Sequence, residues 1–375
     1  MIRLVFVKFL TLICLGVLTI SCENDPKQEA PPTGANSDRG LMLTNIADNI
    51  VIPAYANFKL KLDNMITKSD AFRANPTATT LTDFKTAWEE AYIEWQKVAL
   101  FDFGPAADNG LIGFMNIYPT NIAAINANIT SGTAGLETPA SYPAQGFPAL
   151  DYLINGIAAT DVDIVALYTT DPEADKRKGY LQQLTNQMKT KFDLINNAWK
   201  GTYRNTFVAS TGMGLYSSTS LMVNGIVSYY ERHLRSGKFG IPSGAMIGGT
   251  PSPTAVEAYY KKEIGKVLAQ TAQQAFADYF NGKGVLTGTE GPSLKTYLNS
   301  LDAKDKTTQV LLSETINTQF NVVNDKLALL DNAVATDNAK MVVVYNEMQK
   351  AVRMLKVDMT SAMSVTITYT DNDGD

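Results

Sequence analysis

Hydrophobic positions recur at steps of three or four over long stretches of the chain, the spacing that places them on one face of an α-helix. Leu181, Leu184, Met188, Phe192, Ile195 and Trp199 form one such face, with Asp171 as N-cap, Pro172 at the first helical position and Gly201 at the end. Ser252 and Pro253 predict the start of a second helix, carried by Val256, Tyr260, Ile264, Val267, Leu268, Phe276 and Phe280 and closed near Gly282. Ile316, Phe320, Val323, Leu327, Leu330 and Val334 mark a third, and Val344, Met348, Val352, Leu355, Met359 and Met363 a fourth. Earlier helices are predicted over Leu43 to Ile66, kinked at Pro53, and over Leu81 to Leu100 with Phe84, Trp88, Ala91, Trp95 and Val98 facing inward. A further one runs from about Leu215 to Leu234. Only Val365 to Thr370 alternates as a strand does. The pattern predicts an all-α protein of two up-and-down four-helix bundles, residues 40–200 and 201–375, with a short extended segment at the C-terminus. Gly and Pro gather at Gly104 to Gly113, Thr130 to Gly146 and Gly237 to Pro253, and irregular segments of this kind are where a site is expected.

Composition narrows the function. The chain has 375 residues, 45% hydrophobic and 18% charged, which excludes disorder and leaves ample length for a core. Its formal net charge of −5 offers no cationic field to attract nucleic acid. Residues 1–21 read as an export leader: Arg3 and Lys8 provide the positive end, and Phe9 to Ile20 is apolar but too short to span a bilayer. Thr19-Ile20-Ser21-Cys22 resembles the lipobox of bacterial lipoproteins, with Thr19 where Leu is usual, so Cys22 is the expected lipid attachment point. The only other cysteine, Cys14, lies inside the leader, so the mature chain has no disulfide to form. Residues 22–39, rich in Pro, Asn, Asp and Ser, read as a flexible tether. These features predict a monomeric lipoprotein held at the outer membrane of a Gram-negative envelope, facing the periplasm or the cell surface.

Standard hydrolase chemistry finds little support. The chain has one histidine, His233, near a predicted helix end, whereas a helical HExxH zinc site needs two. No Gly-x-Ser-x-Gly elbow or mature nucleophilic cysteine accompanies it. Gly282-Lys283-Gly284 reads as a helix-ending loop rather than a phosphate loop, and Lys176-Arg177-Lys178 as a solvated face. Asp371 to Asp375 is as oxygen-rich as a calcium loop but lacks the closing glutamate, and it reads as a solvated acidic tail. Glu89, Glu90, Glu94 and Asp102 share a segment with Trp88, Tyr92, Trp95, Phe101 and Phe103, so its polar side offers hard oxygen ligands of the kind that suit ferric iron.

Four stretches in order along the chain resemble the imelysin-like family. They are Ala87-Trp88-Glu89-Glu90-Ala91 leading to Phe101-Asp102-Phe103-Gly104-Pro105, Gly146-Phe147-Pro148-Ala149-Leu150-Asp151, Lys238-Phe239-Gly240-Ile241-Pro242-Ser243-Gly244, and Val256-Glu257-Ala258-Tyr259-Tyr260. The resemblance spans residues 41 to 363 and implies two similar bundles with a site between them, in an envelope protein associated with iron uptake. The family signature Gly-x-His-x-x-Glu reads Gly146, Pro148 and Asp151 here. The histidine ligand is therefore missing and the glutamate is one methylene shorter. The usual Arg and Glu positions on the Trp88 helix are Tyr92 and Ala99. The expected interface site comprises Gly146, Pro148, Asp151, Trp88, Tyr92, Glu94 and Asp102 on one side, and Lys238, Glu257 and Tyr260 on the other. Asp151 is the candidate metal ligand, iron or haem the candidate cofactor, and an outer-membrane iron or haem receptor the candidate partner. Two alternatives accompany this binding or accessory role: a metallopeptidase of the imelysin type, or a non-catalytic surface module that binds a peptide or glycan. For Pro148 and Asp151 a purely structural role, setting the first turn of the Ala149 to Ile154 helix, stands beside ligand binding.

Overall fold

The computed structural model describes residues 35–370. The leader, Cys22, most of the predicted tether and the acidic tail lie outside the described residues. The first helix begins at Ala35, inside the stretch read as tether, and Arg39 is already buried there. Helix α1 (Ala35–Asn45) passes through a π turn (Ile46–Val51) into α2 (Ile52–Ala74). The π turn answers the problem set by Pro53. A proline has no N–H for the carbonyl one turn back. The Asn49 carbonyl accepts instead from Val285 N–H, 2.8 Å away on a distant loop.

One group of helices packs around α2: α3 (Ala78–Trp95), the short α4 (Gly146–Asp151) and α5 (Ala174–Ala198). Thr77 starts α3 with a capping box to Thr80. The second group comprises α6 (Ser218–Ser228) with its π continuation Tyr229–Gly240, α7 (Gly265–Asn281), α8 (Leu312–Ala328) and α9 (Asn338–Arg353). Helix α1 packs on α6 and on Leu294–Ser300, so one continuous helical run serves both groups. Among the described residues there is no strand or sheet, only isolated bridges at Lys283–Glu290 and Lys304–Leu311. The fold is all-α, and one contiguous apolar core joins the two bundles.

Several local expectations are corrected. Asp171 does not cap α5: its carboxylate accepts from Glu173 N–H at 2.8 Å and stiffens the turn before the helix starts at Ala174. Arg177 is no solvated residue. It is buried, bonded to the Leu167 carbonyl and paired with Asp171 at 3.3 Å. The Leu81 helix ends at Trp95, ahead of Leu100. The Val365 to Thr370 segment forms no strand. It is extended, and the Asn224 side chain takes the place of a strand partner, donating to Thr366 O at 2.9 Å and accepting from Thr368 N at 2.7 Å. The largest difference concerns Ser252 to Ile264. Apart from single 3-10 turns at Pro253–Ala255 and Lys262–Ile264, this stretch is an irregular strap, and α7 starts only at Gly265. Ala258 sits at φ +53°, which interrupts any helix.

Candidate functional site between the bundles

The signature helix α4 is positioned from below by aromatic packing. Phe147 stacks on Tyr92 of α3 with ring centres 4.5 Å apart and planes within 3°. Trp88 donates from its indole nitrogen to the Phe147 carbonyl at 3.2 Å. Gly146 has φ +71°, and a Cβ there would stand 2.2 Å from the Met115 carbonyl oxygen, so no other residue fits the start of α4. Pro148 lies in its first turn, where a missing N–H costs nothing, and its carbonyl accepts from Thr120 at 3.1 Å.

Asp151, at the end of α4, is 1% exposed and acts as a clamp. Its two oxygens accept from the backbone N–H groups of Tyr260 at 2.9 Å and Lys261 at 3.0 Å, and from Asn155 at 3.0 Å. This explains why the strap is not helical: its N–H donors turn outward to the carboxylate instead of along a helix axis. Burial raises the Asp151 carboxyl to about 7, against the pull of those three hydrogen bonds, with Glu263 adding to the rise.

The strap carries Glu257 into the seam between the bundles. There Glu257 pairs with Lys238 and accepts from Gln96 at 3.0 Å and Asn116 at 2.6 Å. Lys238 also donates to Gln96 at 2.8 Å, and Tyr92 donates to Asn116 at 2.6 Å. Every member of this network is buried or nearly so, and its charges cancel as a buried ion pair must. Burial pushes the Lys238 ammonium down, opposed by Glu257. A small chamber of about 20 Å³ lies beside it, lined by Tyr118, Tyr229, His233 and Lys238, with room for one water molecule. His233 does not sit at a helix end as the sequence suggested. It stands within the π segment, stacked on Tyr229 with ring centres 5.9 Å apart, and burial lowers it to about 4.

Outside this chamber, and sharing Tyr118 with it, is a cavity of about 370 Å³ between the Tyr118 to Ile122 wall, Pro148, Asp151 and the strap. The structure thus brings together Tyr92, Pro148, Asp151, Lys238, Glu257 and Tyr260, with Gly146 and Trp88 as supports. It does not bring Glu94 or Asp102 to them. Glu94 pairs with Lys97 at 2.7 Å on the wall of a separate groove facing α7. Asp102 lines another cavity with Tyr203, Asn224 and Tyr369, where burial raises its carboxyl to about 6 against the effect of Arg232. Glu94 shares the helix of Tyr92 but lines a different groove, and Asp102 lies beyond the end of that helix. Gln96, Asn116, Tyr118 and Tyr229 were not anticipated. Gln96 left little trace in the sequence, where it stands beside Lys97 as one of two polar residues between Trp95 and Val98.

A metal held by Asp151 does not fit this arrangement. Its oxygens are engaged by N–H donors, Glu257 is neutralised by Lys238, and among the described residues no three His, Cys, Asp or Glu side chains gather as a ligand set. Among the described residues no helix is long and apolar enough to cross a membrane.

Comparison with known proteins agrees with this architecture. Over 126 residues the chain is 26% identical to iron-regulated protein A of Synechococcus elongatus, a match that spans 32% of each protein. Two crystal structures share the fold at 17% identity. An imelysin-like protein from Psychrobacter arcticum has a TM-score of 0.66, with 89% of this chain and 98% of that one covered. A candidate iron-regulated protein A precursor from Parabacteroides distasonis has a TM-score of 0.70, with 89% and 96% covered. The family model for imelysin, peptidase M75, matches residues 51–358, most of the chain, and the protein belongs to the imelysin family.

Proposed function

We propose that the protein is a lipid-anchored accessory component of iron acquisition in a Gram-negative envelope, working through the cleft between its bundles rather than through catalysis. The observation that carries the reading is the strap. A buried carboxylate and a buried ion pair hold an irregular segment across the seam, beside a cavity of about 370 Å³, and polar groups are buried at such expense chiefly where a geometry must be kept. The resemblance to iron-regulated protein A supplies the link to iron. The Cys22 leader supplies the anchor. The cargo would arrive as a chelate, as haem, or on a partner such as an outer-membrane receptor, since the seam presents no ligand set of its own for bare metal.

Peptidase chemistry has less behind it. The signature histidine is Pro148, and both seam carboxylates are occupied, so no group is left to activate a water on a metal. The test compares radioactive iron uptake by cells lacking the protein with that of cells restored with wild type, Cys22→Ser or Lys238→Met. Wild type restores uptake, Cys22→Ser releases the protein from membranes, and Lys238→Met leaves uptake low. Uptake that is unchanged by deletion under iron limitation overturns the reading.

A further inference from the structure

The cavity over Asp151 has a chemistry of its own. Tyr259 and Tyr260 meet at 74° with ring centres 5.0 Å apart, forming an aromatic corner on one wall, and Tyr118 stands on another. Tyr260 is preset. Its ring lies so close over Gly156 that a Cβ there would come within 2.0 Å, it packs on Tyr152 at 5.3 Å, and its N–H is held by Asp151. Val256, Ala258, Pro148 and Ile122 complete an apolar lining. Among the residues lining the cavity, Asp151 is the only charged one, and no lysine, arginine or histidine faces it.

These features select by charge. Above about pH 7, where Asp151 is ionised, the cavity has a carboxylate at its base and no cation on its walls, and it disfavours anions. Tyrosine faces attract a cation through the ring quadrupole. Three of the roughly four lone-pair sites of Asp151 are already taken by N–H donors, so it offers a field rather than new hydrogen bonds. A head group whose charge needs no hydrogen-bond partner suits such a site. We propose that this cavity is a recognition site for a quaternary alkylammonium group carried by a small organic molecule. The inference goes beyond the iron-related role and does not require it.

Choline and its uncharged carbon analogue 3,3-dimethyl-1-butanol have nearly the same shape and differ in the charge. Calorimetric titration of the full-length protein in detergent with each, at about pH 8 where Asp151 is ionised, tests the proposal. Choline is expected to bind about 3- to 30-fold more tightly than the neutral analogue, the range spanned by one cation–π contact from exposed to desolvated. Tyr259→Leu keeps apolar bulk at a position 41% exposed, so the fold is retained while one π face is lost. It should remove most of that preference while leaving the neutral analogue nearly unaffected. Equal binding of the two compounds, no choline binding at millimolar concentration, or a preference that survives Tyr259→Leu each overturns the proposal. The probes carry no metal, so failure here leaves the iron reading intact, and failure of the uptake experiment leaves choline binding intact.

Discussion

The two bundles meet along two seams built on opposite principles. One is aromatic: Tyr55 of α2 lies edge-on to Phe101 at 5.5 Å, Phe101 packs on Tyr279 of α7 at 5.7 Å, and Phe103 and Phe207 close on Trp199 at 6.0 and 5.1 Å. The other is polar, the Lys238–Glu257 pair with Gln96, Asn116 and Tyr92. In the aromatic seam the hydroxyls of Tyr55 and Tyr279 and the indole nitrogen of Trp199 have no hydrogen-bond partner among the described residues, and the seam rests on buried apolar area. In the polar seam the carboxylate, the ammonium and both amides are all matched. Burial of area tolerates small shifts, because it is non-directional. A matched network does not, and it is the seam that borders the cavity.

The sharpest way to break this comparison is to damage each seam once and then attempt a rescue. Trp199→Ala should cost about 3–5 kcal/mol in chemical denaturation, as large aromatic truncations in cores do. Lys238→Met should cost about as much, roughly 3–5 kcal/mol, because it leaves Glu257 buried and unpaired. The rescues then diverge. Adding Glu257→Gln to Lys238→Met removes the stranded charge, while the new amide oxygen still accepts from Gln96 and Asn116, so at least half of the loss should return. A double variant no more stable than Lys238→Met would show that the polar seam, too, is held mainly by packing.

The seams also differ in how far the sequence disclosed them. Period-3.6 spacing locates the aromatic helices well, because Phe320, Val323 and Leu327, or Leu181, Leu184 and Met188, each report their own burial. The polar seam has no period. Gln96 and Lys238 are 142 residues apart, and amides and charges look like surface residues until a partner is known. The strap shows the same limit: Ser252-Pro253 is a genuine start signal for a helix, yet the Asp151 carboxylate, more than a hundred residues away, captures the N–H groups a helix would use. Local propensity lost there to a buried tertiary acceptor. The four family motifs located the region, since each carries at least one residue that reaches the seam or supports it. Sharing a segment with Trp88 and Tyr92 predicts Glu94 and Asp102 there too, but Glu94 faces another groove and Asp102 lies past the end of the helix, because a shared segment does not mean a shared face.

A smaller effect sharpens the account of how α4 is seated. Gly146→Ala puts a methyl against the Met115 carbonyl in a left-handed backbone conformation. The strain and the enforced shift should cost about 1–3 kcal/mol. Its useful signature is local: hydrogen exchange at the Tyr260 and Lys261 amides, which the Asp151 clamp protects, should quicken more than exchange in α8. Uniform quickening would mean that α4 is seated by the bulk of the core and not by this contact.

The smallest effect is the pH slope, because two groups near the cavity oppose each other. Asp151 titrates near 7 in the folded protein, above its usual carboxylate value, so the native state holds a proton that the unfolded chain has released between about pH 4 and 7, and stability falls as pH rises through that window. His233 titrates near 4, below its usual value near 6.5, so between those values the unfolded chain holds the extra proton and stability rises with pH. Over pH 4 to 6.5 the two contributions have opposite signs. His233→Gln removes the rising one, so the fall of unfolding free energy with pH should steepen. Asp151→Asn removes the falling one, and its curve should flatten or turn upward even though the weakened clamp lowers it throughout. Slopes rather than heights carry the information. Trp199→Ala touches no titrating group of the polar seam, but Phe103 and Tyr203, which pack on Trp199, line the cavity that raises Asp102 to about 6. Any change it makes in the slope should therefore disappear when Asp102→Asn is added, and a change that persists would mean that the two seams are coupled after all.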